Sequence, residues 1–215
     1  MEAVIFDFDG TLLDSEREWD NYLWPLVQRT FPKVTWEDFS FFTGTTTRQG
    51  YAHFAALHEP TMDLRTYSQE IRSFIPELYQ TARLNEGVRE LLEALRREGT
   101  PMAIATSSER DWIMPSVRSH NIEEFFPAIV TLDDVERAKP HPEPYRLAAS
   151  KLGVDPQQCA AVEDSVHGIQ SAKAAGMTCV GFAYRDNAAQ LHEADVCVRH
   201  FSDITPDTLR ALVRS

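Results

Sequence analysis

Short unbroken apolar runs alternate along this chain with longer stretches in which apolar residues recur at helical spacing. Ala3 to Phe6 is apolar throughout and too short for a helix, so it predicts a buried strand. Met102 to Thr106, Ala128 to Thr131, Gln158 to Asp164 and Met177 to Phe182 predict further strands, and Asp195 to Val198 a sixth. Helices fill the intervals. Val88, Leu91, Leu92 and Leu95 stand at i, i+3, i+4 and i+7, with Gly99 as the stop. Asp111 to Ser119 and Pro142 to Leu152 follow, the second with prolines in its first turn and Gly153 past its end. Ser165 caps a helix from Val166 to Ala175 that ends at Gly176, and Pro206 to Val213 closes the chain. Strands alternating with helices require parallel pairing and right-handed crossovers, so the fold class is α/β with a doubly wound, Rossmann-like parallel sheet.

One region breaks the alternation. Residues 15–83 read as helices alone: one after Ser15 with Trp19, Leu23, Leu26 and Val27 on one face, then Trp36 to Phe41, Thr47 to Leu57 and Leu64 to Tyr79. Asp14 or Ser15 is placed to cap the first of these, with Glu18 completing a capping box from Ser15, and Pro25 implies a kink. The expected division is therefore a Rossmann-like core of residues 1–14 and 84–215 with a small all-helical domain, 15–83, inserted after the first strand.

In doubly wound sheets ligands sit beyond the carboxyl ends of the strands. The first strand delivers Asp7 and Asp9, one residue apart and so on one side of an extended chain, followed by Gly10, which permits a sharp turn. The second delivers Thr106 and Ser107, and the fourth Glu163 and Asp164; Lys139, before Pro140, follows the third. Acids, hydroxyls and one cation thus converge on one sheet edge. Carboxylates beside an apolar core need a cation, and Mg²⁺ suits oxygen ligands of this kind.

Charge narrows the partners. Acidic residues outnumber basic ones 33 to 21, for a formal charge of -12. With no basic run, nucleic acid and anionic membrane surfaces are not expected partners, whereas a small phosphate ester is compatible once a metal and local cations offset the field. No charge-free apolar stretch is long enough to span a bilayer. Cys159, Cys179 and Cys197 fall in apolar runs without ligand spacing and predict buried, reduced thiols; with the first strand starting almost at Met1, the expected setting is cytoplasmic. Nothing demands more than a monomer.

At these residues the chain resembles the haloacid dehalogenase superfamily, in its beta-phosphoglucomutase-like branch with a helical cap. Asp7-Phe8-Asp9-Gly10-Thr11 matches the first motif, Thr106-Ser107 the second, Lys139-Pro140 the third and Glu163-Asp164-Ser165 the fourth, in order and over essentially the whole chain. The resemblance implies Mg²⁺-dependent phosphoryl transfer through an aspartyl-phosphate. It implies Asp7 as nucleophile, Asp9 as acid and base, and Thr106, Ser107 and Lys139 as phosphate-binding groups. Asp7, the Asp9 carbonyl and Asp164 would hold the metal, with Glu163 behind them on a metal-bound water. The stretch Asp14-Ser15-Glu16 with Trp19 is similar to that of sugar-phosphate phosphatases in the branch; mutase members carry a histidine where Trp19 stands, and an indole cannot exchange a proton. Gly44, between Thr43 and Thr45, and Arg48 resemble a cap loop facing the site. The implied activity is hydrolysis of a small phosphorylated metabolite, a sugar phosphate; a beta-phosphoglucomutase-type mutase and a non-catalytic module on the same fold are the alternatives.

Overall fold

β1 (Ala3–Phe6) lies in the middle of the molecule and orders everything around it. The structure is a computed structural model and describes residues 1–39, 45–183 and 187–214, with only the backbone of 16–18, 187 and 214. β1 pairs in parallel with β4 (Met102–Ala105) on one side and β6 (Cys159–Glu163) on the other. Beyond β4 comes β5 (Ala128–Val130); beyond β6 come β7 (Thr178–Phe182) and β8 (Val196–Val198). The order β5-β4-β1-β6-β7-β8, all parallel, is the doubly wound sheet expected.

The two-residue period sorts the strands onto two unlike faces. Val4, Phe6, Met102, Ile104, Val162 and Phe182 meet α5 (Val88–Arg97), α6 (Arg110–Ser119) and the closing helix α9 (Pro206–Arg214). Ala3, Ile5, Ala103, Ala105, Ala161 and Cys179 turn the other way, toward α7 (Glu143–Leu152) and α8 (Val166–Ala175). Small residues on that second face let the helices come close. Gly153 and Gly176 end α7 and α8 in the left-handed region, with φ of 72° and 93°, as read from the sequence.

Between β1 and α5 the chain forms α1 (Glu16–Thr30), α2 (Trp36–Phe39), α3 (Thr47–Leu57) and α4 (Leu64–Thr81). The predicted helix 36–41 is described as far as Phe39; residues 40 and 41, and the predicted loop at Thr43 and Gly44, lie outside the described residues. α1 continues through Pro25. Tyr67, Ile71, Ile75, Leu78 and Tyr79 of α4 are buried at helical spacing. Phe31 is fully buried among the rings of Tyr51, Phe54 and Tyr67. These helices and the α5 side of the sheet share one apolar cluster. The sequence reading missed a two-stranded antiparallel ribbon, β2 (Leu13–Asp14) with β3 (Arg83–Leu84), where the chain leaves and re-enters the sheet region. Asn85 reinforces it by donating to the carbonyls of Gly10 and Thr11.

Cys159 and Cys179 are buried as expected, but Cys197 is exposed. It lies on β8, the sheet's edge strand, which has a neighbouring strand, β7, on one side only. Among the described residues no helix is long and apolar enough to cross a membrane.

A single carboxylate organises the turn after β5. Asp134 accepts from the Thr131 N–H and hydroxyl and from Arg110, each at 2.8 Å. Burial by itself would raise its pKa, but the Thr131 bonds and Arg110 outweigh it and lower the pKa to about 2. A folded-state pKa below the unfolded value means stabilisation present above the ordinary Asp range and lost as pH falls through the folded pKa. Asp134→Asn is expected to lower the thermal midpoint at neutral pH by about 2–6 °C, given ~1–1.5 kcal/mol for bonds to a charged acceptor in a chain of this size. The gap should shrink as pH falls from 4 toward 2; thermal scans across that range check it, and a gap independent of pH would count against this account.

Candidate active site

Asp7 follows directly on β1, and its backbone N–H still donates to Val162 of β6, so the residue is held at the sheet's carboxyl edge. Gly10 takes φ 77°, the left-handed turn its lack of a Cβ permits. Lys139, on the loop after β5, is 1% exposed and places its Nζ 2.6 Å from Asp7 Oδ1 and 2.5 Å from Glu163 Oε1. Glu163 ends β6 fully buried and also accepts from the Tyr145 hydroxyl and from the Ser165 N–H and hydroxyl. Its carboxylate rests against Gly168, where a Cβ would lie 1.7 Å from Oε1, so any other residue at that place in the first turn of α8 would push the carboxylate off its partners. Asp164 accepts from the Thr11 hydroxyl at 3.1 Å. Ser165 caps α8 through the Gly168 N–H, so Asp164 is not the cap.

The oxygens of Asp7, Glu163 and Asp164 lie within 4.8 Å of one another. Lys139 is the one buried lysine or arginine among the described residues, so three carboxylates face a single ammonium. Burial pushes Asp7's pKa well above the usual carboxylate range; Lys139 pulls it back, and Glu163 and Asp9 add to the rise. Burial works against the Lys139 ammonium too, yet the two carboxylates outweigh it and hold its pKa above the ordinary lysine value. An oxygen-rich pocket with surplus negative charge fits a small divalent cation.

Asp9 turns to different partners. Ser15 Oγ donates to its Oδ1 at 2.9 Å and Ser108 Oγ to its Oδ2 at 2.7 Å. The Tyr79 hydroxyl lies 3.0 and 3.1 Å from the two oxygens. Burial raises the Asp9 pKa, and bonds from Ser108, Ser15, Tyr79 and Trp19 moderate the rise. Ser15, expected to cap α1, makes no side-chain cap bond. Its hydroxyl donates to Asp9 and accepts from the Gly10 N–H, so its acceptor side is turned to that turn rather than to the N–H groups at the start of α1.

Asp7, Asp9, Thr106 and Ser107 line one cavity of about 660 Å³ between the sheet edge and helices α1, α3 and α4. Thr106 is buried, and its hydroxyl accepts from the Ser108 N–H; Glu109, not Thr106, stands at the start of α6. Of the residues singled out in the insertion, Trp19 and Arg48 line the cavity. Glu16 opens α1, with its backbone alone described, and Gly44 lies outside the described residues. Links from the insertion to the sheet side include Arg72 of α4, which pairs doubly with Glu109 at 2.8 and 2.6 Å, Gln49 of α3, which donates to the Lys139 carbonyl, and the Tyr79 hydroxyl on Asp9. Tyr79, Ser108, Tyr145, Gln49 and Gly168 escaped the sequence reading; only Gly168, a glycine in the first turn of a helix, carried a local signal.

A family model of haloacid dehalogenase-like hydrolases matches residues 4–182. Validoxylamine A 7'-phosphate phosphatase of Streptomyces hygroscopicus subsp. limoneus is 31% identical over 206 residues, covering 94% of this chain and 95% of its own. Pyrophosphatase PpaX of Bacillus pumilus (strain SAFR-032) is 31% identical over 213 residues, covering 95% and 94%. Among solved structures, a mutant CbbY from Rhodobacter sphaeroides in complex with xylulose 1,5-bisphosphate superposes with a TM-score of 0.79 at 26% identity, covering 97% of this chain and 99% of that one. The sheet order, the convergence of buried acids on its carboxyl edge and the matched span agree: the chain belongs to the haloacid dehalogenase-like hydrolase family and is an enzyme of its phosphatase branch.

Proposed function

We propose that the protein is a Mg²⁺-dependent phosphomonoester hydrolase that acts on a small phosphorylated metabolite, a sugar phosphate, by passing the phosphoryl group through Asp7. The observation that carries this reading is the buried trio Asp7, Glu163 and Asp164 against one ammonium. Asp7, the Asp9 carbonyl and Asp164 would hold Mg²⁺, with Glu163 behind them; the ion would supply charge neutralisation between the anionic nucleophile and the anionic phosphate. A carboxylate oxygen of Asp7 forms a bond to phosphorus as the ester P–O bond breaks. Asp9 gives its proton to the departing alkoxide oxygen. It then takes a proton from the water that attacks phosphorus, releasing inorganic phosphate and restoring Asp7. Thr106, Ser107 and Lys139 bind the remaining phosphate oxygens. Residues 15–83 act as a cap that encloses the leaving group and excludes water, with Trp19 and Arg48 lining the cavity; Glu16 and Gly44 are the further substrate contacts the sequence suggests.

The cavity is large enough for a sugar phosphate, and CbbY holds a sugar bisphosphate in its structure. Hydrolysis is preferred to isomerisation because Trp19 packs against Phe74 and Trp112 and offers only an N–H donor where a mutase would need an exchangeable proton. A panel of phosphomonoesters assayed for released phosphate tests the reading. Turnover should stop in EDTA and return with Mg²⁺; EDTA-resistant turnover would remove the metal. Incubation with β-glucose 1-phosphate should release phosphate, and a rearranged sugar phosphate would favour the mutase.

A further inference from the structure

Three segments far apart in the chain aim hydroxyls at one carboxylate. Ser15 follows β2, Ser108 follows β4, and Tyr79 comes from the last turn of α4, 70 positions from Asp9. Tyr79 is 3% exposed, and its ring stacks on Phe8, the residue between the two aspartates, with centroids 6.3 Å apart and planes at 29°. Its hydroxyl spans both Asp9 oxygens and lies 3.2 Å from Ser108 Oγ. Ring packing therefore fixes where the hydroxyl sits, and the hydroxyl fixes the rotation of the carboxylate. Proton transfer needs the carboxylate oriented within hydrogen-bond reach of the reacting oxygen, and such orientation comes from supporting bonds of this kind.

We propose that Tyr79 is a positioning residue that holds the Asp9 carboxylate in line for proton transfer to the departing ester oxygen, so that the inserted helix α4 supplies part of the acid–base machinery. The inference rests on Asp9 being the proton donor in the reading above. Removing the hydroxyl leaves one serine on each Asp9 oxygen but takes away the partner that ring packing fixes in place, so the carboxylate is held less tightly. Proton donation then suffers, while attack by Asp7 does not.

The leaving group separates these steps. Benzyl phosphate departs as an alkoxide that needs a proton; p-nitrophenyl phosphate departs as a stabilised phenolate that needs none. The value of kcat/KM reports the steps through departure. Tyr79→Phe keeps the ring and its stacking on Phe8. It is expected to lower kcat/KM for benzyl phosphate by ~10-fold or more, within the range general acid catalysis contributes, and for p-nitrophenyl phosphate by less than about 3-fold. Ser108→Ala, which removes a donor from the sheet side, should show the same selectivity. Asp9→Asn is measured alongside and should show a larger selective loss. Equal losses on both esters in Tyr79→Phe, or no loss on either while Asp9→Asn remains selective, would overturn the positioning role and leave the acid assignment standing. An Asp9→Asn enzyme that treats both esters alike would overturn the acid assignment itself, and the role of Tyr79 with it.

Discussion

Asp7→Asn is expected to abolish turnover, by a factor on the order of 10⁴ or more as for other lost nucleophiles, without loosening the fold. An amide oxygen cannot attack phosphorus as a carboxylate does, yet it has the same shape and still accepts from Lys139, 2.6 Å away. The substitution also removes one of three carboxylates crowded within 4.8 Å of each other. Burial already works against the charged form of Asp7. The variant should therefore unfold at the same urea concentration as the parent or a higher one. Such a pairing, activity gone and stability kept or gained, is the mark of a site held together for chemistry at the expense of stability. Phosphate release on the ester panel and a urea titration together test it. Residual turnover near the parent's would refute the nucleophile; a large loss of stability would refute the view that the acids repel.

The second large effect concerns the cation. Lys139→Met keeps the unbranched apolar stem of the side chain and deletes the charged end. Asp7 and Glu163 then lose the ammonium that bonds them both, at 2.6 and 2.5 Å, where all three side chains are buried. Breaking a buried pair from one side leaves uncompensated charge and costs about 3–5 kcal/mol. In a chain of this length that corresponds to a fall of roughly 6–20 °C in thermal midpoint. Added Mg²⁺ should recover part of the loss, because it would bring positive charge to the same oxygens. Turnover should fall as well, since a phosphate oxygen loses its partner. Thermal scans with and without Mg²⁺ decide it: a midpoint unmoved by the substitution would show that the carboxylates are solvated or protonated rather than paired. Arginine is not a conservative replacement here, because a planar fork does not fit a point charge held between two acids.

Much of the site was legible in the sequence for a simple reason. An apolar run that stops at Asp7, another at Thr106 and a third at Glu163 mark the carboxyl ends of strands, and parallel pairing brings those ends to one edge. The helices α3 and α8 were legible from their periodicity and punctuation, and Thr47 and Ser165 stand where they were placed. β2 and β3 were not, because two residues carry no period. The exposure of Cys197 was hidden because an edge strand and an interior one read alike.

By itself, the sequence determined the alternation of strands and helices, the helical insertion and the chemical types gathered at the sheet edge, since these follow from local spacing and from the rules of parallel sheets. Tertiary structure alone decided which partner each carboxylate takes. It set Lys139 between Asp7 and Glu163, drew Ser15 away from its helix, seated Glu163 on Gly168 and brought Tyr79 across 70 residues to Asp9. Hydrogen bonds reach only about 3 Å, and no pattern along a chain records which distant atoms folding will bring that close.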